Sequence, residues 1–425
     1  MSESESMKKP ELLVPAGSLD VLKTAVNYGA DAVFIGGEAY GLRAKAKNFG
    51  HDEMAEGILY AHGHGVKVHV TANILAHDCD LEGAREYFKE LKALKPDALI
   101  IADPGMFMMA REICPGIEIH VSTQANNTNY ETFNFWYGLG AKRVVAAREL
   151  SLREIAEIRE RIPADKEIEC FIHGAMCISY SGRCLLSNYF TGRDANHGAC
   201  THPCRWKYKP GEPHELETFI EEEERPGVYL PVYENERGTY IFNSRDLCMV
   251  EHIPELVKAG IDSFKIEGRM KTALYVATVA RTYRRAIDDY FESEEKYNEN
   301  LQWYREEIAK CTYRQFSTGF YFGRPDEFSQ VYDNNTYINE YIYLGTVERD
   351  EGDTVIFEQK NKFSVGEEIE IMKPDGENIK TSVLSICDKD GNAQESAPHS
   401  RQELHVKLSQ KPAPGDILRR KNNEI

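Results

Sequence analysis

No two of the ten cysteines in these 425 residues stand two residues apart, so the usual grip of a structural zinc knuckle is missing. There is no His-Glu-x-x-His and no Gly-x-Ser-x-Gly, which removes the common signatures of zinc and serine hydrolases. The glycine fingerprint of a dinucleotide-binding open sheet is absent as well. No apolar run approaches the length of a membrane span. Positive charge is in deficit: 51 Lys and Arg against 69 Asp and Glu leave a net charge of −18. Binding of nucleic acid through bulk electrostatics is therefore disfavoured, while a local basic surface is still allowed. Nothing at the N-terminus resembles a signal peptide, so a cytoplasmic protein with reduced thiols and no disulfide framework is expected. Residues 1–10 are polar and are expected to be disordered.

What is present is a local concentration of thiols. Cys170, Cys177, Cys184, Cys200, Cys204 and Cys248 crowd into one part of the chain. The stretch 169–187 reads as a strand that turns at Gly174 and then delivers Cys177 and Cys184. Four thiolates at loose spacing suit an iron–sulfur cluster, because iron in such clusters takes sulfur donors. Zinc, and buried thiols that ligate nothing, stay open as alternatives. Arg183, Arg193, Arg205, Lys207, Arg245, Lys265, Arg269 and Lys271 lie near these motifs, whereas acid collects at 221–224 and 292–295. A solvated charged surface is the plainer explanation of that asymmetry.

Along the chain, short apolar runs at 11–14, 32–35, 67–71, 98–102, 118–122, 143–147, 167–173 and 263–266 alternate with helical spacing such as 19–28, 52–64 and 81–94. Strand–helix alternation implies a parallel sheet. Eight repeats over 11–292 predict an α/β fold, a closed (β/α)8 TIM-like barrel. In such a barrel the loops after the strands form the active face, so Glu38, Arg43, Asn73, Asp103, His120, Gln124, Asn126, Arg148, Glu149 and His173 become candidates, each with a loop cap or turn as its alternative role. The cysteine-rich insertion, 174–248, follows strand seven, and 227–233 with 239–244 reads as a hairpin returning Cys248 to the other thiols. An amphipathic helix is expected over 271–291, then a helical linker over 293–340, with 292–299 read as connecting chain and 301–310 as a short helix. From 341 to 425, strands at 342–347, 354–358, 368–372, 381–387, 403–408 and 416–419 predict a small all-β barrel.

The longer motifs carry a resemblance. Glu169-x-Phe171-x-x-Gly174-Ala175-Met176-Cys177 and Gly182-x-Cys184-x-Leu186-Ser187 are similar to the signature of the collagenase-like peptidase U family, whose catalytic type is unassigned. Arg193 to Cys200, Cys204-Arg205-Trp206, Ser244 to Cys248 and Lys265 to Lys271 continue it, with His197 where the pattern has Gln. Within the family the likeness is to the branch that hydroxylates tRNA. It implies conversion of wobble uridine to 5-hydroxyuridine, dependent on prephenate and on a [4Fe-4S] cluster. By place in the motifs the ligands are Cys177, Cys184, Cys200 and Cys248, with Cys204 in reserve. Prephenate has two carboxylates, which guanidinium groups bind bidentately; Arg43, Arg148, Arg245 and Arg269 are candidates by position, and Lys265, His120 and Gln124 complete the substrate set. Arg183, Arg193, Arg205 and Lys207 are the candidate RNA contacts, tRNA being the implied partner, and a shorter member of the same family is a candidate second partner. The segments at 362–368 and 414–416 resemble the small barrel of translation factors. Two other functions compete: a peptidase, for which Cys177 with His173 is a conceivable pair, and a non-catalytic RNA-binding or scaffold subunit stapled by a structural metal.

Overall fold

The structure is a computed structural model, and it describes residues 8–38, 40–41, 48–176, 218–221, 229–235, 238–240, 244–323 and 337–422. Seven parallel strands follow one another round a barrel: β1 (Glu11–Pro15), β2 (Ala32–Gly36), β3 (Lys67–Thr71), β4 (Ala98–Ile101), β5 (Glu118–Val121), β6 (Arg143–Val145) and β7 (Glu167–Ala175). The insertion contributes β8 (Thr218–Glu221), β9 (Tyr229–Asn235) and β10 (Gly238–Tyr240), a separate antiparallel sheet that contains the expected hairpin and one strand more. Next come β11 (Asp246–Cys248) and β12 (Ser263–Ile266). β12 is the eighth barrel strand, and it closes the ring by pairing in parallel with both β1 and β7.

Strand residues alternate between two environments, as the pleat requires. Leu12, Val14, Val33, Ile35, Val68, Val70, Leu99 and Ile101 join the large core shared with the surrounding helices. The opposite face lines the lumen, where Leu13, Ala32, Phe34 and Ile100 form a small apolar cluster. The same parity puts His69, His120, Arg143, Glu169 and Lys265 inside the barrel, all of them buried. The lumen is thus packed in large part by charged and polar groups.

Two features extend the barrel on one side. β11 runs antiparallel to β7, and β13 (Phe316–Ser317) runs parallel to β11. The connector is held there by Asp246, whose two carboxylate oxygens accept from Arg314 Nη2 at 2.9 Å and from the Arg314 backbone N–H at 3.1 Å. The reading of 292–299 as connecting chain is corrected, because Glu294–Glu299 is helical. Ser293 caps it by accepting from the Lys296 N–H, and Tyr297 is buried with its hydroxyl donating to the Val250 carbonyl.

The C-terminal unit is an antiparallel sheet with its own core of residues such as Leu344, Phe357, Ile369, Val383 and Leu404. Its strands are β14 (Tyr341–Thr346), β15 (Arg349–Glu351), β16 (Thr354–Glu358), β17 (Glu368–Met372), β18 (Asn378–Asp388), β19 (Ala393–Gln394), β20 (Glu403–Leu408) and β21 (Ile417–Lys421). It is fastened to the barrel by buried polar contacts. Tyr28 donates to the Met372 carbonyl at 2.7 Å, and Glu307 accepts from Arg419 at 2.7 Å and from Arg281. A cleft of about 1100 Å³ runs along this junction, lined by Lys23, Tyr60, Thr272, Tyr343 and Lys360 among others.

Candidate active site at the barrel mouth

At the C-terminal ends of the strands, polar side chains cross the mouth from one strand to another. Arg269, in the turn after β12, is buried and donates from Nη1 to Thr71 Oγ1 on β3 at 2.9 Å. Two glycines make room for it. A Cβ at Gly36 would lie 2.0 Å from Arg269 Nη1, and one at Gly17 would lie 2.1 Å from the Arg269 carbonyl oxygen. Arg148, just after β6, donates to the Ala175 carbonyl at 3.0 Å and to Glu267 Oε2 at 3.2 Å, and its guanidinium stacks 3.9 Å from the Phe171 ring centre. Gly174 has φ +110°, and a Cβ there would meet the Glu267 carbonyl oxygen at 2.5 Å. Only glycine fits that turn, which lets β7 run close against the segment after β12.

An amide cluster stands just beyond the ends of β3 and β5. Asn73 Nδ2 donates to Gln124 Oε1 at 2.6 Å and lies 3.3 Å from Ser122 Oγ, which is itself 3.3 Å from Gln124 Oε1. Beneath lie His69 and His120, edge to face at 4.7 Å between ring centres. Burial holds the pKa of both imidazoles well below the usual histidine value, so both are neutral. Deeper still, Glu169 accepts from Lys265 at 2.6 Å and from Arg143 at 3.0 Å. Lys265 and His120 therefore belong to the lumen, while Arg148, Arg269 and Gln124 belong to the mouth. Asp103 caps the helix Pro104–Ile113 by accepting from the Met106 N–H, and Asn126 closes its own turn at φ 54°. Both fill the plainer roles open to polar residues at strand ends.

The insertion leaves and returns at one point on the rim. Ala175, two residues before Cys177, pairs in register with Asp246, and His173 pairs with Cys248. Around Cys248 the groups are tightly knit. The Tyr283 hydroxyl donates to the Ile172 carbonyl at 2.9 Å and lies 3.4 Å from His173 Nδ1 and 3.8 Å from Cys248 Sγ. Burial pushes the Cys248 thiol up to about 11 and brings His173 down to about 3. Arg245 is partly buried next to this strand. Cys177, Cys184, Cys200, Cys204, Arg183, Arg193, Arg205, Lys207 and Arg43 lie outside the described residues. Among the described residues no three His, Cys, Asp or Glu gather as a metal site. Cys248, at the root of the insertion with a hydroxyl beside its sulfur, fits the part of one thiolate ligand with an outer-shell partner.

Thr71 and Tyr283 were not among the residues singled out from sequence. Thr71 is hidden because its partner Arg269 is 198 positions away. Tyr283 reads simply as one apolar position of the helix Ala273–Glu292.

Comparison with known proteins places this geometry. The family described as Peptidase family U32 matches residues 17–330, and its C-terminal domain matches residues 339–419. The chain is 42% identical over 415 residues to tRNA hydroxylation protein P1 of Bacillus subtilis, covering 97% of this chain and 95% of that one. It is 40% identical over 424 residues to tRNA hydroxylation protein P of Escherichia coli, covering 92% of each. It is also 37% identical over 287 residues to the 23S rRNA 5-hydroxycytidine C2501 synthase of Escherichia coli, covering 68% of this chain and 40% of that one.

Proposed function

The chain belongs to peptidase family U32, and from that premise we infer that it is an RNA-modifying enzyme that hydroxylates wobble uridine of tRNA at the 5-position. The single observation that carries this reading is full-length similarity, above nine-tenths of both chains, to proteins named for tRNA hydroxylation. The geometry is compatible with it, because cations and amides converge on the open end of a barrel, where enzymes of this architecture keep their chemistry.

In this reading Cys177, Cys184, Cys200 and Cys248 hold a [4Fe-4S] cluster, with Cys204 in reserve. Such a cluster supplies the electron-transfer chemistry that side chains lack. The protein's own part is to bind and to orient. Arg148 and Arg269 present guanidinium groups at the mouth, suited to the two carboxylates of prephenate. Glu267 and Thr71 hold those guanidinium groups in place. The tRNA backbone is met by Arg183, Arg193, Arg205 and Lys207. A shorter family member is a candidate partner. Peptidase chemistry by Cys177 with His173 is the weaker reading, since burial brings the His173 imidazole down to about 3, opposite to the imidazolium that a thiolate–imidazolium pair requires.

The test is nucleoside mass spectrometry of tRNA from a strain lacking this chain and from the same strain complemented with it. We expect 5-hydroxyuridine to disappear and to return. Full hydroxyuridine content in the deletion strain, with no relative to substitute, would overturn the reading.

A further inference from the structure

We propose that Asn73 and Gln124 together read the imide edge of the target uracil. This rests on the function proposed above and adds to it the residues that recognise the base. The two amides are bonded to each other through Asn73 Nδ2 and Gln124 Oε1 at 2.6 Å. That bond leaves Asn73 Oδ1 and Gln124 Nε2, both shut off from solvent, with no hydrogen-bond partner among the described residues. Gln124 is 2% exposed. Buried polar atoms are nearly always paired, so one unpaired donor and one unpaired acceptor side by side call for an explanation. Exchanging O and N in both amides swaps which residue supplies which, and still leaves one of each.

Uracil presents the complement on one edge: N3–H donates, and the adjacent carbonyl O4 accepts. Asn73 Oδ1 would take the proton of N3–H, and Gln124 Nε2 would donate to O4. Ser122, 3% exposed and within 3.3 Å of both amides, keeps them facing each other. The unpaired atoms continue down the same wall. His69 lies four residues before Asn73 and His120 four before Gln124, and the Nδ1 of each is also buried without a partner among the described residues. These four positions stand on and just beyond β3 and β5, the strands that flank β4. Arg269 is anchored on Thr71, two residues before Asn73. A wobble base in an anticodon loop is unpaired, so it can be turned into the mouth without breaking a base pair.

The experiment titrates the full-length protein with fluorescent anticodon stem-loops that carry uridine, 3-methyluridine or no base at the wobble position. 3-Methyluridine lacks the N3–H. We expect uridine to bind about tenfold or more tighter than the other two, as one bidentate base contact gives. Asn73→Leu and Gln124→Leu should bring that ratio close to one, with the affinity for the abasic loop unchanged. Gln124→Glu keeps the bond from Asn73 and loses the free donor. It should lower the ratio in the same direction, and it decides the matter if the leucine variants do not fold. A wild-type ratio in all folded variants overturns the proposal, as does wild-type binding blind to the base. If the deletion strain still loses hydroxyuridine in that event, the function stands and only the base reading by this pair falls. If the deletion strain keeps its hydroxyuridine, the function itself falls, and this proposal with it.

Discussion

Lys265 donates to Glu169 at 2.6 Å inside the barrel, and neither side chain is more than 6% exposed. Removing one partner of a buried pair leaves a charge that water cannot reach, which costs more than the pair itself contributes. Lys265→Met should therefore destabilise the protein, by less than the about 3–5 kcal/mol of a fully unpaired buried charge because Arg143 still donates to Glu169, as measured by urea unfolding. The double variant Lys265→Met with Glu169→Gln should recover much of that loss. Equal destabilisation by the single and double variants would show that the pair acts by packing alone.

The junction between barrel and C-terminal sheet should respond to acid. Burial raises the Glu307 carboxyl, but Arg419, Arg281 and Lys310 outweigh it and bring the pKa to about 2. A depressed folded-state value stabilises the native state above the unfolded carboxylate pKa, and that stability is lost as pH falls from about 4.5 toward about 2. Thermal melts across that range should show a falling midpoint, and Glu307→Gln should lower the midpoint at neutral pH and flatten the acid dependence. An unchanged slope in the variant would assign the acid loss to other groups.

Gly36→Ala places a methyl group 2.0 Å from Arg269 Nη1 and must push the guanidinium off Thr71. We expect overpacking to cost about 1–3 kcal/mol and hydroxyuridine to fall in a complementation assay. Arg269→Lys should lose the modification with less loss of stability, because the ammonium lacks the planar fork.

Protein purified without oxygen should be brown and absorb near about 400 nm, from iron–thiolate charge transfer. Cys248→Ala should abolish the colour. Stoichiometric zinc without iron would defeat the assignment. Loss of the cluster in Cys204→Ala with retention in Cys200→Ala would exchange those two ligands.

Charge reversal at Arg205 and Lys207 should weaken tRNA binding and flatten its salt dependence, since fewer counterions are released. The iron content should stay unchanged. Undiminished affinity would move the RNA contact elsewhere.

The barrel was legible because its strands are short apolar runs bounded by polar strand ends, and each of the eight lies within a residue or two of its expected position. Helix Glu294–Glu299 was not legible, because it buries one apolar residue, Tyr297, among acids, and its cap at Ser293 looks like any loop serine. β15 and β19 are three and two residues long, too brief to show a period. The polar residues at strand ends could be placed at the mouth in advance, but not sorted. Lys265 and Arg269 are four residues apart, yet one turns into the lumen toward Glu169 and the other crosses the mouth to Thr71. Pairings that span 96 and 198 positions leave no local pattern to read.

β13 is made of only two residues, Phe316 and Ser317, yet it covers the free edge of β11, the strand that carries Cys248. These residues are synthesised after the whole barrel, and so is Arg314, the partner of Asp246. On the ribosome, where chains fold from the N-terminus as they emerge, the barrel can close while β11 still presents an unpaired edge. Until the connector arrives, that edge is open to pairing with a neighbouring chain. A fragment ended at the last barrel helix should therefore stay in that immature condition and self-associate through β11, whereas one ended after Gly323 should not.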